Sequence, residues 1–287
     1  MKLRILGIRG IPAAHGGFET FAEKLSLYLA EKGWDVTVYC QVDGTGGQME
    51  DRWHAIDRIH IPIMHKGPFG TILFDLKSTW HAARAGEPCL VLGYNTAVFL
   101  VLLRLCRVPT VINMDGIEWA RAKWGRIAKL WFWLNDWAGC WLGPRLVADH
   151  PEIKRHLGTR TDASKITMIP YGAELIEDAS SDVLSDWGLE PGCFLTVIAR
   201  PEPENSLLEI VHGFSQRKRD VKLVVLGKYD ETHPYQQRVL SAASEEVLFL
   251  GPIYDTSILR SLRFYSLAYV HGHQVGGTNP SLVEALG

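Results

Sequence analysis

The residues best suited to chemistry stand where short β-rich runs end. "FLTVIA" is followed at once by Arg200 and then by "PEPENSLLEIVHGF". A guanidinium at such an edge can fork onto a diphosphate; the alternative is a surface arginine paired with Glu202 or Glu204. Asn205 or Ser206 is the expected cap of the helix that follows. "LAYVHG" leads through His273 into Gly276, Gly277, Thr278 and Asn279, a donor-rich loop that precedes a helix and suits a second anion contact. Glu284, about one turn into that helix, is placed to accept hydrogen bonds from sugar hydroxyls. His271 and His273 lack a third partner at metal-ligand spacing, so hydrogen bonding or packing is expected of them and no metal.

Near the start, "GIRGIPAAHGGFETFAEKL" places His15, Gly16 and Gly17 just before a helical stripe of Phe18, Phe21, Ala22, Leu25, Tyr28 and Leu29, closed by Gly33. The two glycines admit close approach of a phosphate to free helix N–H groups, or serve only a tight turn. A dinucleotide fingerprint fails on spacing, since Gly7, Gly10, Gly16 and Gly17 do not form G-x-G-x-x-G. The second strand, "VTVYCQ", is also expected to end before its acid, with Val42 ahead of Asp43. "TVINMDGIEWARAKWG" offers Asp115 and Glu118 beside a glycine. Acids there can orient hydroxyls or assist proton transfer, and a turn cap is the alternative for Asp115.

Six of the ten tryptophans lie between Trp119 and Trp141, among Arg121, Lys123, Arg126 and Lys129. Leu130, Leu134, Trp137 and Trp141 share one helical stripe that reads as core. Trp124, Trp131 and Trp133 do not all fit it, and indoles beside cations suit a membrane interface with anionic head groups. Packing against another domain or a carbohydrate is the alternative.

Placing these residues requires alternating strands and helices. "KLRILGI", "DVTVYCQ", "RIHIPI", "PCLVLG", "PTVIN", "RLVAD" and "KITMIP" form one series of strands; "FLTVIA", "KLVVLG", "EVLFLG" and "LAYVHG" form a second. Near-continuous apolar strands alternating with amphipathic segments predict an α/β protein with parallel sheets covered on both faces. The 287 residues suit two domains. The polar stretch 172–192 separates them, giving domains 1–175 and 176–287. A net charge of −2 argues against a dedicated nucleic-acid binder. Five scattered cysteines read as buried reduced thiols of a cytosolic protein. The start lacks a signal-peptide pattern, and "AVFLVLL", closed by Arg104, is far short of the ~20 residues of a membrane span.

Taken in order, "RGIPAAHGGFETFAEKL", "DGIEWARAKW", "IPYGAE", "ARPEPEN" and "HGHQVGGTNPSLVEALG" resemble the glycosyltransferases of family four, nearest the bacterial rhamnosyltransferase-like subgroup that builds capsule, exopolysaccharide and O-antigen. The resemblance implies the GT-B fold of two Rossmann-like domains and a retaining, metal-independent transfer from a nucleotide-diphosphate sugar. It places Gly16, Gly17, Arg200, Gly277, Thr278 and Asn279 on the donor diphosphate, Glu284 on the ribose and His273 on the donor sugar. His15, Glu118 and Arg121 fall on the acceptor side, with Asp115 the candidate catalytic group. The expected donor is dTDP-rhamnose and the expected acceptor a lipid-linked oligosaccharide, in the cytoplasm at the inner face of the plasma membrane. No cofactor, metal or nucleic acid is expected.

Three features depart from the family pattern. The first glutamate of its E-x7-E motif is replaced by Gly276. The lysine usual after the diphosphate arginine is absent from "PEPENS", where Lys228 is a candidate substitute. "NMDG" stands where many relatives carry a histidine. The family also continues beyond the point matching Gly287, so the second sheet is expected to be incomplete and the chain a fragment. A GT-B epimerase or phosphorylase, and a non-catalytic nucleotide-sugar binder, are the competing classes.

Overall fold

The computed structural model describes residues 1–287 except His15, Asp115, Ala122 and Gly276. Its contacts divide the chain into two compact units, Met1–Pro170 and Tyr171–Gly287.

The first unit runs β1 (Lys2–Leu6), α1 (Gly17–Glu31), β2 (Asp35–Asp43), β3 (Met49–Trp53), β4 (Ile56–Ile63), α2 (Gly67–Ala85), β5 (Cys89–Leu92), α3 (Leu100–Leu105), β6 (Thr110–Asn113), α4 (Arg126–Leu142), β7 (Arg145–Ala148), α5 (Pro151–Gly158) and β8 (Ile166–Met168). Its sheet has the order β3-β4-β2-β1-β5-β6-β7-β8. Every pairing is parallel except that of β3 with β4. Consecutive residues Val38, Tyr39 and Cys40 are all buried, as both covered faces of a parallel sheet require. Gly7 closes β1 at φ +86, where a Cβ would sit 2.1 Å from the Leu92 carbonyl oxygen; the turn into the following loop admits no side chain.

The second unit contains β9 (Phe194–Ile198), α6 (Leu207–Ser215), β10 (Lys222–Leu226), α7 (Pro234–Ser241), β11 (Val247–Gly251), α8 (Thr256–Phe264), β12 (Ala268–Tyr269) and α9 (Pro280–Leu286). Its parallel sheet has the order β11-β10-β9-β12. Apolar clusters cover both faces, one around Val197, Val211 and Val225, the other around Phe194, Val224 and Leu262.

Several expectations are corrected. β3 was not anticipated: "MEDRW" is polar on both faces, as a charged edge strand is, and it is held through Asp51 by Arg58 and His60 of β4. β2 continues alongside β4 as far as Asp43, paired with Ile63, so an acid does end the second strand. The glycine spacing still excludes the dinucleotide fingerprint. On α1, Tyr28 faces solvent under Lys32, while Ala22 takes the buried position. Cys40, Cys89 and Cys140 are buried, but Cys106 and Cys193 are exposed at loop positions. The α4 stripe taken for core is turned outward: Leu130 is 57%, Leu134 47% and Trp141 61% exposed. Among the described residues, no helix is long and apolar enough to cross a membrane.

Asp75 of α2 is buried, and its side chain accepts a hydrogen bond from the Thr96 hydroxyl at 2.9 Å. Burial pushes its carboxyl up to about 7. Between the ordinary carboxylate range and that value the folded chain holds a proton that the unfolded chain releases. Stability from this site is therefore greatest at low pH and falls as pH rises toward 7. Asp75→Asn removes this dependence. It should leave the melting temperature near that of the parent at pH 4 and raise stability by roughly 2 kcal/mol at pH 8. Equal pH dependence of melting in parent and variant would contradict this.

Candidate functional site

In the second unit, β9 and β12 are neighbours, so the loops leaving their carboxyl ends lie side by side. In an open parallel sheet this is where ligands bind. The two loops are stitched together. The Asn205 amide donates to the Arg200 carbonyl at 2.7 Å, and its Oδ1 meets His273 Nδ1 at 2.6 Å. The Ser206 hydroxyl donates to the Gly272 carbonyl at 2.8 Å, and the Gln274 amide N–H donates to the Glu204 carbonyl at 2.9 Å. A Cβ on Gly272 would lie 2.7 Å from the Asn205 carbonyl oxygen, so the close approach of the loops depends on glycine there. Ser206 stands at the N-cap of α6 as expected, but its hydroxyl, like the Asn205 amide, is spent on this stitching and caps no helix N–H.

Arg200 sits exposed on this surface. Among the described residues it forms no ion pair with Glu202 or Glu204, so its guanidinium is available to an anion. Gly277 and Thr278 are half-buried, and Thr278 is already engaged. Asn279 is the N-cap of α9: its Oδ1 accepts from the Ser281 amide at 3.0 Å and the Leu282 amide at 3.4 Å. Its side-chain amide nitrogen donates no hydrogen bond among the described residues. Glu284 is held by Arg263 of α8 at 2.5 Å through Oε2. Arg263 was missed in the sequence, which carries no signal that a residue on the preceding helix orients this carboxylate. Gly276 lies outside the described residues. His271 packs on Tyr269 and His273, and partial burial lowers its pKa.

In the first unit, Gly16 is the N-cap of α1 in an extended conformation, with nothing within 4 Å of an added Cβ, and Gly17 is the helix's first residue. Two acids of α1 hold the loop before it. Glu23 accepts from the Ala13 amide at 2.6 Å and Glu19 from the Ala14 amide at 3.0 Å, which takes those two donors away from any phosphate. Beside the loop lies a cavity of about 650 Å³ whose wall includes Arg9, Glu19, Asp43, His60, Lys66 and Thr71. Arg9, in "GIRG", and Asp43, at the end of β2, were not singled out in the sequence. Both were legible only once β1 and β2 were known to end there.

The edge continues across the sheet. A Cβ added at Gly93, after β5, would meet the Phe18 ring at 3.4 Å, and the Tyr94 hydroxyl accepts from the Glu118 amide at 2.6 Å. Glu118 and Arg121 are brought together at 2.7 Å, and Trp124 donates to the other Glu118 oxygen at 3.2 Å. Arg121 is 8% exposed. This pair shapes the loop after β6. Asp115 and His15 lie outside the described residues.

The same loop is fixed from below by Asp136 of α4, which is 1% exposed. Its Oδ2 accepts from Trp119 Nε1 at 2.8 Å and meets His156 Nε2 at 2.8 Å and Arg160 at 3.1 Å. The Arg160 guanidinium also lies over the Trp137 ring, 4.7 Å from its centroid.

Several solved structures share this fold. Sucrose-phosphate synthase from Thermosynechococcus elongatus superposes with a TM-score of 0.78 at 15% identity, over 99% of this chain and 78% of that one. An E. coli structure described as trehalose-6-phosphate bound with UDP-2-fluoro glucose gives 0.72 at 11% identity, over 100% and 81%. The α,α-trehalose 6-phosphate synthase of Burkholderia multivorans gives 0.70 at 11%, over 100% and 80%. At these identities the likeness shows the fold, which is α/β of the GT-B kind with Rossmann-like parallel sheets. The chain belongs to the family described as a domain of unknown function, DUF1972, which matches residues 1–174. No curated protein matches it by sequence.

Proposed function

We propose that this chain is a glycosyltransferase that moves a sugar from a nucleotide-diphosphate donor to a sugar hydroxyl. One observation carries the reading: the loops after β9 and β12, bearing Arg200 and residues 277–284, are bound into one strand-end surface on which Arg200 forms no ion pair among the described residues. The fold shared with sugar-phosphate synthases, and the UDP-sugar in the E. coli structure, support a nucleotide-sugar donor.

The finer reading follows the sequence resemblance. The donor is dTDP-rhamnose, the acceptor a lipid-linked oligosaccharide, and the transfer retains anomeric configuration without a metal, at the cytoplasmic face of the plasma membrane. As the bond from the anomeric carbon to the diphosphate breaks, charge develops on the leaving oxygen. Arg200 and backbone N–H groups near Gly277 and Thr278 stabilise it. A donor phosphate oxygen takes the proton of the attacking hydroxyl, which forms the new glycosidic bond on the same face. No side chain is then required as nucleophile; Asp115 is the candidate for orienting the acceptor. Glu284, oriented by Arg263, accepts from the ribose hydroxyls, and His273 faces the donor sugar.

Incubation of the protein with dTDP-rhamnose and a membrane lipid extract should transfer rhamnose to lipid with release of dTDP, and EDTA should leave the rate unchanged. Release of free sugar or an isomerised sugar nucleotide without acceptor would favour an epimerase or phosphorylase. Loss of transfer in EDTA would contradict the metal-independent reading.

A further inference from the structure

We infer that the outward face of α4 is a docking surface for an anionic lipid membrane. A surface helix ordinarily turns its polar side to water. Here the order is inverted. Asn135 and Asp136 point inward and are locked there: the Asn135 carbonyl accepts from the Val98 amide at 3.0 Å, and Asp136 is held by Trp119, His156 and Arg160. With those two residues fixed, the opposite face presents Ile127, Leu130, Trp133, Leu134 and Trp141, with Trp137 half-buried beside them under Arg160. Ile127 is 88% exposed and Trp141 61%. Trp133, Trp137 and Trp141 form a ladder, with ring centroids 6.1 and 5.3 Å apart. Arg104 of α3 donates to the Trp141 carbonyl at 2.8 Å, which sets the exposed Leu105 beside the end of this face. The α4 helix, of 17 residues, is about 25 Å long, so the apolar strip is long enough to lie in the plane of a head-group layer.

Charge selects the occupant. Between residues 96 and 135 stand six cations, among them Lys123, Arg126 and Lys129 at the helix start, against two acids, in a chain whose net charge is −2. The only acid within α4 is the buried Asp136. A second copy of this surface would bring mainly cations and indoles to meet them; Glu118, the described acid of the stretch 96–135, is already paired with Arg121. A leaflet with anionic head groups supplies both the charge and the interfacial depth that indoles prefer. The inference does not rest on the donor-site assignment: a chain that binds vesicles but no nucleotide would overturn that assignment and leave this surface intact.

The test is flotation of the full chain with phosphatidylglycerol–phosphatidylcholine vesicles, against vesicles of phosphatidylcholine alone. The parent should float with the anionic vesicles and shift its tryptophan emission to the blue. Trp133→Ser with Trp141→Ser, and separately Lys123→Glu with Arg126→Glu and Lys129→Glu, should each weaken partitioning on the order of 100-fold while circular dichroism is unchanged. Quenching of the parent's tryptophan emission by brominated lipid provides a readout that needs no variant. Absence of quenching and flotation, equal flotation with neutral vesicles, or a solution dimer that the tryptophan variant dissociates without any vesicle binding would each overturn the proposal.

Discussion

Arg200→Ala is expected to lower the transfer rate about 10²–10³-fold, the usual loss when one preorganised donor to developing charge is removed. The chain should stay folded, because Arg200 is exposed and contributes no ion pair among the described residues. Arg200→Lys should recover only part of the activity, since an ammonium cannot reproduce the two-pronged contact of a guanidinium with a diphosphate. The measurement is a steady-state transfer assay for parent and both variants, with circular dichroism as the folding control. A rate for Arg200→Ala within threefold of the parent would remove this residue from the account.

Asp136→Ala should produce the largest loss of stability. The carboxylate is 1% exposed and is contacted by Trp119, His156 and Arg160, of which Arg160 carries a full charge on a side chain only 7% exposed. Breaking such a pair from one side leaves a buried charge without compensation and costs about 3–5 kcal/mol. For a unit of this size that corresponds to a fall of roughly 10 °C in the melting temperature of the first unit. The double variant Asp136→Asn, Arg160→Met, which removes both charges, should recover much of the loss. Asp136→Ala should also free Trp119 and loosen the loop carrying Glu118 and Arg121, seen as faster amide exchange there. An unchanged melting temperature would show that the network is not what locks α4.

The strand-end loops were legible in the sequence because parallel strands are short, apolar and punctuated. A run such as "FLTVIA" announces its own end, and Arg200 is the next residue but for none. What surrounds those residues was less legible. β3 escaped because a charged edge strand has no apolar face to register. Asp43 falls two residues outside the strand the apolar run predicts because the length of a strand is decided by its neighbour; the ladder with β4 carries β2 through Val42 to Asp43. The α4 stripe was assigned to the core because periodicity reports that a face is apolar, not which way it points. The direction is decided by Asp136 and its partners on α5 and the loop after β6, which no local pattern reveals. Partnerships distant in sequence, such as Arg263 with Glu284 and Asn205 with His273, were likewise beyond local reading.

The donor assignment is the centre of the account, and calorimetric titration tests it most directly. Parent, Arg200→Ala and Glu284→Ala would each be titrated with dTDP, UDP, GDP, ADP and NAD. The account predicts that one nucleoside diphosphate, dTDP, binds the parent and that both substitutions weaken it at least tenfold, Arg200→Ala the more. Binding of NAD alone, or diphosphate binding that neither substitution changes, would contradict it.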